Sequence, residues 1–210
     1  MNAEQGLDAE TLGQMLEGLQ EYLDGELPPE RQLELDHEDI CPEDTVRAMS
    51  TDMGIQLVFV PEAYGGMGGG AFDSYRLCEV MARKDIGLAT AIFATFLGSD
   101  PILVGATEEQ KEKWLGAIAE DGIVFAYGAT EPEAGSDLGA MKTKAVPIEV
   151  DGEITGYRIS GAKQWISNGS IADATTILAL APAGPTWFVL EKGIAGFSSA
   201  KPEDKHGIRL

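Results

Sequence analysis

Two stretches carry residue types and spacings that could do chemistry. The first is Tyr127-Gly128-Ala129-Thr130-Glu131-Pro132-Glu133-Ala134-Gly135-Ser136-Asp137, which sets hydroxyls and backbone N–H groups among small residues. Small side chains let a flat ligand approach the main chain. The N–H groups and the Thr130 and Ser136 hydroxyls can meet carbonyls, ring nitrogens or phosphate oxygens. The second is Gly161-Ala162-Lys163-Gln164-Trp165-Ile166-Ser167-Asn168-Gly169. It places Trp165 and Ser167 two apart, which on an extended strand puts a large aromatic and a hydroxyl on one face. Taken singly, each has a plainer structural reading that outweighs the functional one. The first could be a tight Gly-Ser-Asp turn between strands, the second a half-buried Trp beside an Asn-Gly turn.

The elements that must position these stretches change character near residue 122. Before it, apolar residues recur at helical spacing. A first helix runs from Asp8 to Gly25, with Leu12, Leu16, Leu19 and Leu23 on one stripe, and ends at Pro28-Pro29. A second follows Pro42, with Val46, Met49 and Met53 inward and Gly54 as its stop. The short apolar stretch Leu57 to Val60 is closed by Pro61. A Gly-rich loop, Tyr64 to Gly70, then leads to a third helix, Ala71 to Lys84, presenting Tyr75, Cys78 and Ala82 on one side. A fourth, Leu88 to Leu97, is apolar nearly all round and reads as buried. Thr107 and Gln110 form a capping-box pattern opening a fifth helix that ends near Gly122. After Gly122 the pattern becomes that of short strands: Val124 to Tyr127, Thr143 to Val150, Tyr157 to Ser160, Gln164 to Ile166, Thr175 to Leu180 and Thr186 to Leu190. The expected class is α+β: an amino-terminal helical bundle over 1–122, then an antiparallel β-sheet or barrel over 123–210.

Composition sets the outer bounds. The 210 residues include 15 Lys and Arg against 35 Asp and Glu, a formal charge of −20. That excludes non-specific binding to nucleic acid or anionic membranes, which needs basic patches. The acid concentrates in residues 1–50, where fourteen carboxylates face two basic residues, and it reads as a solvated outer face. Cys41 and Cys78 have neither metal-site nor redox-pair spacing and read as free thiols. No metal site is expected, and His37 and His206 carry no role. The chain opens without a secretory pattern, and Leu88 to Leu97 falls well short of the ~20 residues of a membrane span, so a soluble cytoplasmic protein is expected.

Five segments in order resemble the acyl-CoA dehydrogenase family. Pro61-Glu62-Ala63-Tyr64-Gly65-Gly66 is similar to its "PEEYGG" loop, and Glu108 to Leu115 to its "EEQKEKYL" helix. Thr130 to Asp137 matches "TEPxAGSD", Lys163 to Gly169 matches "KxWITNG", and Lys205 to Arg209 resembles "KxGIR". The resemblance implies FAD as cofactor, lined by Tyr127, Ala129, Thr130, Gly135, Ser136, Trp165, Ile166 and Ser167. Thr130 would donate to the pyrimidine side of the flavin ring, and Ser167, where the family often has Thr, toward N5. Ser136 would also touch the acyl-CoA substrate. Phe93 and Leu97, with Ala89 and Thr90, would border the acyl-chain pocket, although simple core packing is the readier account of Phe93.

The implied reaction is α,β-dehydrogenation of an acyl-CoA, in fatty acid or amino acid catabolism. Electrons would pass to an electron-transfer flavoprotein, and the complete enzyme would be a homo-oligomer. The family's catalytic Glu lies in a carboxy-terminal helical domain that these 210 residues do not contain. No catalytic base is therefore assigned, and the sequence reads as a fragment, inactive by itself. Glu131, Glu133 and Asp137 are read as structural, because the family uses that loop for cofactor binding. An acyl-CoA oxidase acting through oxygen, or a non-catalytic split-gene subunit or interaction module, are the alternatives. Gly66-Met67-Gly68-Gly69-Gly70-Ala71 formally matches GxGxxA, but Pro61 to Gly65 separate it from the apolar stretch and no βαβ unit follows.

Overall fold

A computed structural model describes residues 6–38 and 40–208; Arg209, the last residue of the fifth matching segment, lies outside them. The order is α1 (Ala9–Glu26), α2 (Pro29–Glu38), α3 (Glu43–Thr51), α4 (Ala71–Lys84), α5 (Ile86–Gly105), α6 (Glu108–Asp121), β1 (Phe125–Gly128), β2 (Lys144–Val150), β3 (Glu153–Ser160), β4 (Ala174–Ala181) and β5 (Gly184–Glu191). Helices precede a sheet, as the α+β reading expects.

Local chemistry accounts for most helix limits. The Asp8 carboxylate caps α1 by accepting the Glu10 and Thr11 N–H groups, and Leu12, Leu19 and Leu23 form its buried stripe. Thr107 and Gln110 form the capping box of α6, and Gly122 stops it at φ 63°, a conformation that suits glycine. The unexpected helix, α2, buries no residue, so it has no apolar stripe to read. On α4 the buried residues are Asp73, Leu77 and Met81, with Cys78 half-buried. Tyr75, expected inward, is exposed. The face turns because Asp73 points in, accepting the Leu7 and Gly70 N–H groups at 2.9 and 2.7 Å. The stretch 57–60 lies in a 3₁₀ turn, Ile55–Phe59, with its end at Val60.

Helix α5 is twice the expected length. Gly98, Ser99 and Pro101 look like breakers, yet the helix continues through them for 20 residues. By length and composition it could cross a membrane, which corrects the short-run reading, but its most apolar window is 56% buried inside the fold. It packs on α4, α6 and β1 as a core helix. Gly98 is the point of closest approach: a Cβ there would meet the Ala126 carbonyl oxygen and Phe125 Cβ, each at 2.9 Å.

The sheet is mixed rather than wholly antiparallel. β4 is its hub: parallel to β1 over Phe125↔Ala174 to Gly128↔Ile177, parallel to β2 at Lys144↔Leu180, and antiparallel to β5 along its length. β2 and β3 form an antiparallel hairpin. Because β5 takes one full edge of β4, β1 and β2 share the other. The expected strand Gln164 to Ile166 is not formed; that segment is irregular, since Trp165 and Asn168 have φ of 58° and 61°.

Gly98→Val tests the α5–β1 contact. A Cβ already within 3 Å of the Ala126 carbonyl, bearing two further branches, forces the helix off the strand, and a loss of about 1–3 kcal/mol in urea unfolding is expected. An unchanged unfolding midpoint contradicts the close contact.

Candidate functional site

The two faces of the sheet serve different ends. On β4, Thr176 points toward the helices, donating to the Gly98 carbonyl at 2.8 Å. Its register partner Tyr127 shares that face, and the Tyr127 ring stacks on Trp187 with centroids 4.8 Å apart. Burial, and then the Asp100 carboxylate, push the Tyr127 phenol above its ordinary pKa. On the opposite face, Thr175, Ile177 and Leu190 line a groove of ≈ 1410 Å³. Its other walls come from the β2–β3 hairpin, the turn 161–171 and the terminal segment 194–208.

The turn runs along the outer edge of β1 and is fastened to it at three levels. Gln164 N–H donates to the Thr130 carbonyl at 3.0 Å, and Asn168 Nδ2 to the Phe125 carbonyl at 3.1 Å and the Ala91 carbonyl of α5 at 2.7 Å. Asp173 N–H donates to the Val124 carbonyl at 2.8 Å. The turn thus occupies an edge that would otherwise offer free backbone groups. Asp173 ties it to α3 as well, pairing with Arg47 at 2.9 Å while accepting the Val124 N–H. Burial opposes the Asp173 charge, but Arg47 and that N–H outweigh it and hold the carboxyl below its ordinary pKa.

At the centre of this stitching is a buried ion pair. Lys163 Nζ lies 2.8 Å from Glu131 Oε1 and 3.0 Å from the Ala129 carbonyl, and the two side chains are 8% and 5% exposed. Glu131 also accepts the Lys142 and Thr143 N–H groups at 2.6 and 3.0 Å. Burial pushes its pKa up, yet the ammonium and the two N–H donors prevail and hold it at about 2. A carboxylate so employed is a brace, as the sequence reading expects. Glu133 pairs with Lys142, and Asp137 accepts the Gly139 N–H at 3.1 Å.

The predicted site residues fall into three groups. Trp165, Ile166 and Ser167 all line the groove: Trp165 is 68% exposed, Ser167 is exposed, and Ile166 is half-buried against the core. The turn achieves by positive φ the outward ring and hydroxyl that a strand was expected to give. Ala129, Thr130, Gly135 and Ser136 lie on the adjoining loop, where Gly128 and Pro132 rather than these four line the groove. Ala129 is buried; Thr130 is half-buried, Gly135 and Ser136 are exposed, and both hydroxyls lack a partner among the described residues. Tyr127 stands apart on the helix-facing side. Phe93 packs with Phe59 and Phe96, at 6.5 and 6.4 Å between centroids, and Leu97 is exposed on α5. Neither reaches the groove, whereas Thr90 does.

Sequence reasoning passed over Lys163, Asn168 and the Arg47–Asp173 pair. Lys163 had one usable signal: it is the single charged residue between Ile159 and Ile171.

The chain is similar to known proteins along nearly its whole length. The family model described as "Acyl-CoA dehydrogenase, N-terminal domain" matches residues 9–121, and "Acyl-CoA dehydrogenase, middle domain" matches 126–210. A short-chain specific acyl-CoA dehydrogenase of Megasphaera elsdenii is 38% identical over 184 residues, covering 83% of this chain and 47% of its own. Among solved structures, an acyl-CoA dehydrogenase complexed with FAD from Bacillus anthracis superposes with a TM-score of 0.83 at 31% identity, over 97% of this chain and 34% of that one. A chain from the electron transferring flavoprotein structure of Acidaminococcus fermentans, described with flavin-based electron bifurcation, gives 0.84 at 32%, over 100% and 54%. The chain spans between a quarter and a half of the length of the curated relatives it matches.

Lys163→Met tests the brace. Leaving Glu131 buried without its cation is expected to cost about 3–5 kcal/mol at pH 7. The Glu131 carboxylate stabilises the fold fully above its unfolded pKa of 4.5, and that contribution is lost as the pH falls toward about 2. The penalty of the substitution should therefore shrink across that window. A pH-independent penalty contradicts an ionised pair.

Proposed function

Because this chain belongs to the acyl-CoA dehydrogenase family, we propose that it builds the flavin-facing wall of an FAD-dependent enzyme that removes two hydrogens across the α,β carbons of an acyl-CoA thioester. The observation that carries the reading is the direct bond between its two chemistry-bearing stretches, Gln164 N–H to the Thr130 carbonyl. Had those stretches lain apart, no single flat ligand could meet both.

The residues fit the cofactor on three counts. The groove, at ≈ 1410 Å³, exceeds the ~300–1,000 Å³ that encloses a drug-sized ligand, as an elongated dinucleotide requires. Trp165 offers a large exposed ring at its wall. The Thr130, Ser136 and Ser167 hydroxyls, without partners among the described residues, offer donors to a ring edged with carbonyls and nitrogens. When bound, the flavin supplies the acceptor for the hydride that leaves the β-carbon.

The chain's own part is positioning. Trp165 covers an aromatic face and excludes water from it. Thr130 and Ser167 hold the ring edge, and Ser136 lies at the loop surface, where a thioester ligand can reach it. No carboxylate of the loop serves as base: Glu131 is bound in its ion pair, Glu133 is paired with Lys142, and Asp137 caps its own turn. α-Proton removal is therefore assigned to a residue outside this loop, and the family resemblance implies a Glu of a carboxy-terminal helical domain. Electron transfer to an electron-transferring flavoprotein is the proposed onward step, in keeping with the flavoprotein neighbour.

Titrating the chain with FAD tests the reading. Uptake seen as quenching of flavin fluorescence is expected, and Trp165→Ala should weaken it about tenfold, the value of one aromatic contact. The substitution should leave the unfolding midpoint nearly unchanged, since the ring is 68% exposed. A wild-type chain that takes up no flavin overturns the proposal.

A further inference from the structure

Every backbone acceptor that the loop offers between Ala129 and Glu131, together with that of Ala134, is consumed inside the protein. The Ala129 carbonyl takes the Lys163 ammonium at 3.0 Å, and the Thr130 carbonyl takes Gln164 N–H at 3.0 Å. The Glu131 and Ala134 carbonyls accept each other's N–H groups at 3.2 and 2.9 Å. The Glu131 carboxylate is filled by Lys163, Lys142 N–H and Thr143 N–H. The Thr130 and Ser136 hydroxyls have no partner among the described residues. A hydroxyl can donate or accept, but with the Ala129 and Thr130 carbonyls beside them already taking a donor, these hydroxyls suit a ligand that brings acceptors.

Among the described residues, Lys163 is the side chain that joins the two stretches, since it belongs to one and bonds to the other. It belongs by sequence to the turn bearing Trp165 and Ser167, and its ammonium ends beneath the loop bearing Thr130 and Ser136. It is among the residues that line the groove, but its side chain is only 8% exposed and its ammonium is taken up by Glu131 and the Ala129 carbonyl, so it acts as a support within the wall. Its three donor hydrogens suit two simultaneous acceptors at fixed spacing, which a shorter or neutral side chain would not reproduce.

We propose that Lys163 is a positioning residue for the flavin wall: by bridging the Ala129 carbonyl and Glu131, it sets the spacing between the Thr130 loop and the Trp165 turn. The inference rests on the flavin reading above and deepens it. A role confined to holding the fold would lower stability without altering how each folded molecule meets flavin. A positioning role changes that encounter itself.

The test compares wild type, Lys163→Met and Lys163→Arg in FAD titrations of the full chain. Affinity is expressed per folded molecule, with the folded fraction taken from urea unfolding of the same samples. Lys163→Met is expected to raise the dissociation constant about tenfold, the value of one aligned hydrogen bond, and to shift the visible absorption band of whatever flavin still binds. Lys163→Arg keeps the charge and two donors toward the same acceptors, and should recover most of the affinity. Should Lys163→Met fail to unfold cooperatively, Lys163→Gln, one bond shorter and neutral, carries the same comparison. An unchanged affinity and spectrum per folded molecule overturns the positioning role while leaving the flavin reading intact. A wild-type chain without flavin uptake overturns both.

Discussion

Lys163 and Glu131 meet beneath the junction of a loop and a turn, and the site depends on that meeting. Each is 32 residues from the other in sequence and almost fully removed from water. Two charges taken from water lose several kcal/mol of hydration apiece, so such a pair persists only where geometry and added hydrogen bonds offset the loss. Here Glu131 gains two backbone donors and Lys163 a backbone carbonyl. The pair thereby specifies one register between the segments. A hydrophobic pair of equal volume could fill the space but would fix neither the Ala129 carbonyl nor Lys142 and Thr143, the residues that lead into β2.

Polar ties recur where the helices meet the sheet, one of them a more exposed ion pair and others fully buried hydroxyls. Arg47 reaches from α3 to Asp173 and to the Ile171 carbonyl at 2.9 Å, just where the turn becomes β4. Thr95 accepts the Phe125 N–H at 3.2 Å at the start of β1. Thr176 and Asn168 reach carbonyls of α5. Apolar packing supplies most of the driving force here, through Phe125, Ile92 and their neighbours, but packing is tolerant of small slides. The polar ties are not, because each buried donor that loses its acceptor costs about 1–3 kcal/mol. Helix α5 therefore acts as a fixed bar against which β1, β4 and the turn take their positions.

How much of this was legible follows from which signals are local. The limits of α1, α4 and α6 were readable because caps and apolar stripes lie within a few residues of one another, as with Asp8 and the Thr107–Gln110 box. The full length of α5 was not, since Gly98 and Pro101 look like breakers until β1 is known to press against Gly98. Nor could α2 be read, having no buried side to mark it. The parallel pairing of β1 with β4 is a long-range fact, joining residues some 50 apart, and short strands with turn signals suggest antiparallel neighbours instead. For the site, residue types pointed to two stretches that the fold brings into direct contact. The ties that bring them together, from Lys163, Asn168 and Asp173, depend on tertiary neighbours that no spacing rule reveals.

The backbone of the turn bears on what the site is for. Trp165 at φ 58° and Asn168 at φ 61° stand where L residues are uncommon, and for a bulky indole the conformation costs on the order of 1–3 kcal/mol. Asn tolerates it, and this one recovers two hydrogen bonds, to Ala91 and Phe125. Trp165 has no such local compensation: its ring is 68% exposed, and a large apolar surface in water gains nothing for the fold. A strained residue that neither packs nor bonds is held in place by its neighbours, Gln164 fastened to Thr130 on one side and Ile166 seated in the core on the other. Folding alone would favour glycine or asparagine there with the indole buried elsewhere. The arrangement makes physical sense when a flat partner covers the ring, because the contact area then gained offsets the strain that the neighbours impose.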